Sequence, residues 1–196
     1  AITCIKNRFD VEVSLDTSTP KVMLAGAEAG VGMINDVRAL GREGAVEAAA
    51  KTGLPICLMH MQGNPLTMQA GPQYRDVVSE VIEFLEQRAA LCADAGISRE
   101  RLVFDPGFGF GKALKHNLKL LRYLDRFTDM GMPILAGLSR KSMLREITGN
   151  KKGGLVSSSV SAALLAAING ARILRVHDVK ATKDALKVYN AVTCQT

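Results

Sequence analysis

The stretch Asp105-Pro106-Gly107-Phe108-Gly109-Phe110-Gly111-Lys112 follows the short apolar run Leu102-Val103-Phe104, which predicts a buried strand ending in a carboxylate. Three glycines alternate with two phenylalanines, and glycine lets a ligand approach the main chain closely. Bare backbone and flat rings after a buried acid favour the floor of a site for a flat, hydrogen-bonding ligand. A tight turn whose glycines only make the corner is the alternative, and this stretch alone leaves both open.

A short apolar strand followed by a helix recurs six times along the chain. The predicted strands cover residues 11–15, 31–34, 55–59, 102–104, 133–137 and 172–176. The predicted helices cover residues 20–29, 43–51, 77–92, 118–124, 141–148, 160–168 and 180–193. The helix over 160–168 is nearly all apolar, so we expect it to be buried. Hairpin signals are absent from the sequence, and the pattern therefore predicts a parallel sheet with helical crossovers.

Polar residues stand at the end of every predicted strand. They are Asp16, Asn35, His60, Asp105, the run Ser139-Arg140-Lys141 and the pair His177-Asp178. In a closed (β/α)8 barrel these positions converge on one face, whereas an open doubly wound sheet spreads them along an edge. The pattern therefore favours the α/β TIM barrel.

The length of the chain limits how much of such a barrel it can form. A (β/α)8 barrel has eight units and roughly 250 residues, whereas the 196 residues begin, without methionine, in what resembles the end of a helix. We therefore expect residues 1–196 to form a single domain with six of the eight units, lacking the first two.

Composition excludes several classes of protein. The chain has 47% hydrophobic and 22% charged residues, and the net charge of +6 is scattered. No run of ~18 apolar residues predicts a membrane span. With three tyrosines and no tryptophan, nothing predicts a nucleic-acid stacking surface. Four widely spaced cysteines form no Cys-x-x-Cys pair, which favours a reducing cytoplasm over disulfides or a metal site.

Known catalytic motifs do not account for the polar strand ends. The glycine stretch lacks the spacing of a dinucleotide fingerprint or a P-loop, and Gly137-x-Ser139-x-Lys141 is not a nucleophile elbow. Asp16, Asn35 and Asp105 offer acceptors, and Asn35 also donates, which suits a heterocycle that has both N–H donors and ring acceptors. Cations at Lys141 and Arg175 suit an anion or a carbonyl oxygen. An internal ion-pair network is the structural alternative.

Six motifs together resemble the bacterial dihydropteroate synthase family over essentially the whole chain. They are Asp16-Thr17-Ser18, Ile34-Asn35-Asp36, Leu58-Met59-His60-Met61, the glycine stretch 105–112, Gly137-Leu138-Ser139-Arg140-Lys141-Ser142 and Arg175-Val176-His177-Asp178. The resemblance implies a TIM barrel and a cytoplasmic transferase of folate biosynthesis. Such an enzyme joins 6-hydroxymethyl-7,8-dihydropterin pyrophosphate to p-aminobenzoate, releases pyrophosphate, and is the target of sulfonamides.

The resemblance also implies roles for individual residues. The expected pterin-binding residues are Asp16, Asn35, Met59, Asp105, Gly137, Lys141 and Arg175. The expected p-aminobenzoate residues are Phe110, Lys141 and Ser142, and the expected pyrophosphate residues are Arg175 and His177. Catalytic roles fall to Lys141, Asp105 and Arg175. The resemblance further implies a homodimer and a Mg²⁺ ion whose protein ligand lies in the absent first units, so no metal ligand is expected here.

Two departures from the family pattern keep other functions open. The loops of the first two units, which close over p-aminobenzoate and pyrophosphate in the family, are not in this sequence. An acidic-Arg-Leu stretch of the family is replaced by residues 154–159, Gly-Leu-Val-Ser-Ser-Ser. The chain could therefore be a pterin-binding remnant without turnover. A related pterin-binding barrel, such as a methyltetrahydrofolate-using methyltransferase, is the third hypothesis.

Overall fold

The computed structural model describes residues 1–63, 68, 71–150 and 153–193. Its strands are β1 Ser14–Asp16, β2 Met33–Asp36, β3 Ile56–Met59, β4 Leu102–Asp105, β5 Leu135–Ala136 and β6 Ile173–Leu174. Its helices are α1 Ile2–Lys6, α2 Pro20–Glu28, α3 Ala45–Thr52, α4 Val77–Asp94, α5 Leu114–Arg122, α6 Ser142–Thr148, α7 Val156–Ile168 and α8 Val179–Thr193. Short 3₁₀ helices cover Arg99–Arg101 and Leu124–Met130.

The strands lie side by side in the order of the sequence. Strands β1 to β4 form one parallel sheet, and β5 pairs in parallel with β6. A parallel bridge between Phe104 and Ile134 places β5 next to β4. Sequential parallel neighbours joined by helices are the arrangement of a (β/α)8 barrel, so the predicted fold class, a TIM barrel with six of its eight units, is confirmed.

Alternation along the strands separates two apolar clusters. Ile56, Leu58 and Phe104 belong to the large core between the strands and the helices. Their neighbours Cys57 and Val103 point to the opposite side. There they pack with Leu135 in a second, smaller cluster that Met33 and Ile173 border. This second cluster fills the barrel interior beneath the carboxyl ends of the strands.

Several predicted boundaries differ from the structure. The strands predicted over 133–137 and 172–176 have only two residues each in β5 and β6. The prediction of a fully buried helix over 160–168 is wrong, because Leu165 and Ile168 are 50% and 49% exposed. Helix α7 buries only a narrow face of small residues, Ser159, Ala162, Ala163 and Ala166. The loop predicted over 61–71 and the polar segment 150–154 lie partly outside the described residues.

Candidate active site

The strand register brings the sequence-predicted acceptors to one face. Asp16 is opposite Asn35 across β1 and β2, and Met59 is opposite Asp105 across β3 and β4. All four lie at the carboxyl ends of parallel strands, where the active sites of barrels are built. The sheet itself therefore places the side chains that the sequence analysis singled out.

Asn35 and Asp105 are buried with unused hydrogen-bonding capacity. Neither Nδ2 nor Oδ1 of Asn35 has a hydrogen-bond partner, and the same is true of Asp105 Oδ2. Asp105 Oδ1 accepts the Gly107 N–H at 2.7 Å. A buried polar atom without a partner costs free energy unless a ligand or water satisfies it. These three atoms therefore present two acceptors and one donor to a bound molecule.

Asp36, the neighbour of Asn35, shows the opposite state. Its carboxylate accepts the Ser18 hydroxyl and the backbone N–H groups of Arg38 at 2.8 Å and Leu40 at 3.0 Å. These bonds fix the turn after β2, in which Leu40 adopts a positive φ of 58°. Asp36 is thus used by the fold, whereas Asn35 remains available to a ligand.

Arg175 spans the two acids at the top of the barrel. Its Nη2 lies 3.5 Å from Asp105 Oδ2 and its Nη1 lies 3.7 Å from Asp16 Oδ2. The guanidinium passes over Gly137, where an added Cβ would lie 3.2 Å from Arg175 Nε. With 40% of its side chain exposed, Arg175 has one buried, acid-facing side and one free side for an anion or a ring.

Lys141 approaches the same centre from the loop after β5. Its Nζ lies 4.1 Å from the centroid of the Phe110 ring, a cation–π contact. Its Cδ would lie 3.2 Å from a Cβ at Gly109, so this glycine makes room for the lysine side chain. Burial lowers the pKa of Lys141, and the Asp105 carboxylate acts in the opposite direction.

Electrostatics leave Asp105 in an unusual state for a carboxylate beside three cations. Burial raises its pKa, although the Gly107 N–H and the charges of Arg175, Lys141 and Lys112 oppose that shift. Burial therefore disfavours the ionised carboxylate of Asp105 more than the Gly107 N–H and the cations stabilise it. A ligand that donates N–H groups to Asp105 Oδ2 would stabilise the carboxylate further.

The glycine stretch folds by close backbone packing against the loop after β3. A Cβ at Gly107 would lie 1.8 Å from the His60 carbonyl oxygen, and one at Gly111 would lie 2.4 Å from that of Gln62. Both glycines have positive φ, 71° and 63°, which side chains rarely adopt. Met59 is buried against this contact, with its Cγ 3.3 Å from the added Cβ of Gly107. Backbone geometry, and not a phosphate, therefore explains these glycines.

Sequence reasoning missed two residues that hold this loop. Buried Lys112 donates from Nζ to the carbonyl oxygens of Gly107 and Phe110, both at 3.0 Å, and contacts His60 Nδ1 at 2.9 Å. Burial lowers the pKa of Lys112 to about 7 and that of His60 to about 3. Asn117 accepts the Gly109 N–H at 2.7 Å. His60 therefore supports the loop. The only sequence signal for the role of Lys112 was that it directly follows the glycines.

The loops after β5 and β6 are tied together by side chains. His177 contacts Ser139 Oγ through its backbone N–H at 3.2 Å and its Nδ1 at 3.0 Å. Arg140 donates to both carboxylate oxygens of Asp178, at 3.2 and 2.7 Å. Ser142 is exposed at the first residue of α6. These contacts join the loop that carries Lys141 and Ser142 to the loop that carries Arg175 and His177.

The described residues contain no cluster of metal-ligating side chains and no membrane-spanning helix. No group of three or more His, Cys, Asp or Glu side chains within those ranges could hold a metal ion. The residues present therefore do not fit an all-protein magnesium site. None of the helices formed by the same residues is both long and apolar enough to cross a membrane.

Comparisons with known proteins agree with this geometry. A family profile described as pterin binding enzyme matches residues 1–177. The dihydropteroate synthase of Escherichia coli K12 is 49% identical over 190 residues, which cover 97% of this chain and 67% of that protein. The chain thus spans about two thirds of that relative's length.

Solved structures are similar over nearly the whole chain. A Yersinia pestis dihydropteroate synthase in a sulfonamide drug complex has a TM-score of 0.96 at 45% identity, covering 99% of this chain and 70% of that one. A Xanthomonas albilineans dihydropteroate synthase in complex with 7,8-dihydropteroate has a TM-score of 0.93 at 46% identity, covering 100% and 72%. The chain therefore belongs to the pterin-binding enzyme family, among the dihydropteroate synthases.

Proposed function

We propose that this barrel condenses 6-hydroxymethyl-7,8-dihydropterin pyrophosphate with p-aminobenzoate to give 7,8-dihydropteroate and pyrophosphate. The observation that carries the proposal is the set of buried atoms without hydrogen-bond partners on Asn35 and Asp105. A pterin ring has N–H donors and ring acceptors along one flat edge, which matches these atoms. The activity is the transferase step of folate biosynthesis that dihydropteroate synthases perform.

The pterin is proposed to lie on the carboxyl ends of β1 to β4. Asp105 Oδ2 and the Asn35 amide take its amino-ring edge, with Asp16 beside Asn35 and Met59 beneath. Gly137 allows Arg175 to lie flat, so its guanidinium can cover the ring after leaving Asp105. Lys141 Nζ, which Asp105 attracts electrostatically, reaches the pterin carbonyl oxygen.

The proposed reaction produces an anion and a positively charged ring, and the site has groups of opposite charge for each. The bond between the exocyclic methylene carbon and the pyrophosphate oxygen breaks, and its electron pair leaves with pyrophosphate. The positive charge that remains is delocalised over the pterin ring, beside the buried Asp105 carboxylate. The p-aminobenzoate nitrogen then attacks the methylene carbon and loses a proton to solvent. Preorganised charges contribute most to such a step because they need no reorganisation.

The second substrate is proposed to bind between Phe110, Lys141 and Ser142. Phe110 offers a flat apolar face, and Lys141 lies over that ring at 4.1 Å. Ser142 is exposed beside them at the start of α6 and can hydrogen-bond a carboxylate. A sulfonamide that resembles p-aminobenzoate would occupy the same place.

Pyrophosphate is proposed to leave over Arg175 and His177. We also propose that Mg²⁺ accompanies the pyrophosphate, since Mg²⁺ is commonly bound through substrate phosphates with few protein ligands. Within this chain, Arg175 and His177 would meet the phosphate oxygens directly.

Assembly and location remain part of the proposal. Half-exposed apolar side chains of Leu118, Ile147 and Leu165 line a groove of about 410 Å³ between α5, α6 and α7, and a second copy of the chain could cover it in a homodimer. The described cysteines Cys4, Cys57 and Cys92 are free thiols, which favours a cytoplasmic protein.

A pterin-binding polypeptide without turnover is the second candidate. The described strands β1 and β6 do not pair with each other, so the six units do not close the barrel between them. We propose that they correspond to units three to eight of the family fold. In that case the 196-residue chain would bind pterin by its floor and lack full catalysis.

One experiment separates these possibilities. The 196-residue protein is mixed with pterin pyrophosphate, p-aminobenzoate and Mg²⁺, and formation of 7,8-dihydropteroate is followed by chromatography. A Lys141→Ala variant should lose product formation at least a hundredfold, since it removes the cation shared by both substrates. Lys187→Ala, an exposed lysine on α8, is the matched control. Pterin binding without product would favour the second candidate, and near-normal turnover of Lys141→Ala would contradict the assigned role.

A further inference from the structure

Ser139 has a buried hydroxyl that is used entirely by one histidine. The residue is 5% exposed, and its Oγ contacts His177 twice, at the backbone N–H and at Nδ1. His177 as a whole is exposed. A serine that hydrogen-bonds an exposed histidine at two points can determine which imidazole nitrogen faces a ligand.

The direction of the hydrogen bonds follows from counting donors and acceptors. The His177 backbone N–H can only donate, so Ser139 Oγ accepts that bond. The serine proton then needs an acceptor of its own, because a buried hydroxyl that does not donate loses free energy. Nδ1 of His177 lies 3.0 Å away and can accept it. Nδ1 is therefore unprotonated, and the proton of the neutral imidazole resides on Nε2.

We propose that Ser139 is a positioning residue that fixes His177 as the Nε2–H tautomer, with this N–H aimed outward to donate to a phosphate oxygen of the leaving pyrophosphate. The inference rests on the proposed function for the identity of the anion. With Nδ1–H instead, the exposed Nε2 would carry a lone pair and repel an anionic oxygen. The serine would thus convert an exposed histidine into a donor at neutral pH.

The surrounding loops keep this geometry rigid. The Arg140 N–H donates to Ser159 Oγ of α7 at 3.0 Å, and its guanidinium binds Asp178, the residue after His177. Arg140 adopts a positive φ of 58°, a conformation that non-glycine residues keep only where their surroundings enforce it. The loop after β5 is therefore held at Arg140, next to Ser139, and the serine cannot easily follow a displaced histidine.

The test measures the tautomer and anion binding separately. In ¹⁵N-histidine-labelled protein at about pH 8, nitrogen NMR should show His177 with a protonated Nε2 and an unprotonated Nδ1. A His177→Ala variant assigns the signal. Ser139→Ala should produce a mixture of both tautomers, and Ser139→Thr, which keeps the hydroxyl, should restore the original signal.

Pyrophosphate titration with Mg²⁺ supplies the functional arm. Ser139→Ala should weaken pyrophosphate binding roughly three- to tenfold, the effect of about one hydrogen bond, while pterin binding stays unchanged. Ser157→Ala on α7, an exposed serine, is the matched control. An unaltered tautomer in Ser139→Ala, or full pyrophosphate affinity in that variant while His177→Ala binds weakly, overturns the inference. Full affinity in His177→Ala instead refutes the anion role in the proposed function, and the NMR signal still decides the tautomer.

Discussion

The two halves of the site are built in different ways. The floor, made of Asp16, Asn35, Met59 and Asp105, lies on paired strands and includes buried atoms without hydrogen-bond partners. The edge, made of Gly137, Lys141, Arg175 and His177, lies on loops after the two shortest strands and carries the partly buried cations Lys141 and Arg175. The floor is fixed by backbone hydrogen bonds, whereas the edge is fixed by contacts between side chains.

This difference fits the two kinds of binding that the reaction needs. A flat ring that is recognised through its edge requires rigid, desolvated donors and acceptors, since each mismatch leaves a buried polar group unpaired. A departing anion requires charges that can follow it, and the partly exposed Arg175 can do so. Under the proposed function, the strands would recognise the pterin edge and the loops would bind the departing anion.

Asp105→Asn should break the floor and have the largest effect. The change removes the buried charge and replaces an acceptor with an NH₂ group that faces the donors of the pterin. We expect pterin affinity to fall roughly hundredfold or more, because two charge-assisted hydrogen bonds are lost. Calorimetric titration with pterin measures it, with Asp129→Asn as an exposed control. Unchanged affinity would place the pterin elsewhere.

Replacing Gly107 or Gly137 by alanine should change the stability of the protein by different amounts. At Gly107 a Cβ would meet a backbone carbonyl at 1.8 Å, but at Gly137 it would meet the end of the Arg175 side chain, which can move. We expect Gly107→Ala to lower the free energy of unfolding by about 3 kcal/mol or more. Gly137→Ala should leave stability within about 1 kcal/mol and reduce turnover by displacing Arg175.

Gly131→Ala controls for backbone strain in this comparison. Gly131 has a positive φ of +80°, compared with +71° at Gly107, and nothing lies within 4 Å of its added Cβ. Gly131→Ala should lower the free energy of unfolding by only about 1–2 kcal/mol, the strain of a positive φ. Denaturant unfolding of the three variants measures the differences. Equal losses for Gly107→Ala and Gly131→Ala would show that the close backbone packing contributes little.

The floor could be predicted from the sequence better than the edge. Asn35 and Asp105 directly follow apolar strand residues, and parallel strands bring such ends together without further information. The sequence also predicts a strand of five residues ending at Gly137, but β5 keeps only two paired residues. The contact of Ser139 with His177 joins residues 38 positions apart, and local patterns do not encode such a contact. Lys112 was missed for a related reason, since it contacts backbone carbonyl groups, which every residue has, and His60 Nδ1, which lies 52 positions away.

Lys112→Met should have the smallest effect. The substitution should change how the free energy of unfolding depends on pH. The pKa of Lys112 falls from 10.5 to about 7 on folding because the side chain is buried. Between these values the unfolded chain binds more protons, so stability rises with pH across this window. From about pH 7 to 8.5 we expect the free energy of unfolding of the unmodified protein to rise on the order of 1 kcal/mol.

The matched variants isolate this slope from other titrating groups. Lys112→Met should lose the rise in stability with pH, whatever its own stability at pH 7. His60→Ala should keep the rise, because it removes the Nδ1 contact at 2.9 Å and leaves the lysine. His60 itself adds little between pH 7 and 8.5, since its folded pKa is about 3 and the unfolded imidazole, with an ordinary pKa near 6.5, is mostly neutral in that range. A Lys112→Met protein that retains the full rise would mean that this lysine is charged throughout, and that the glycine loop tolerates a buried ammonium ion held by carbonyl groups and His60 Nδ1.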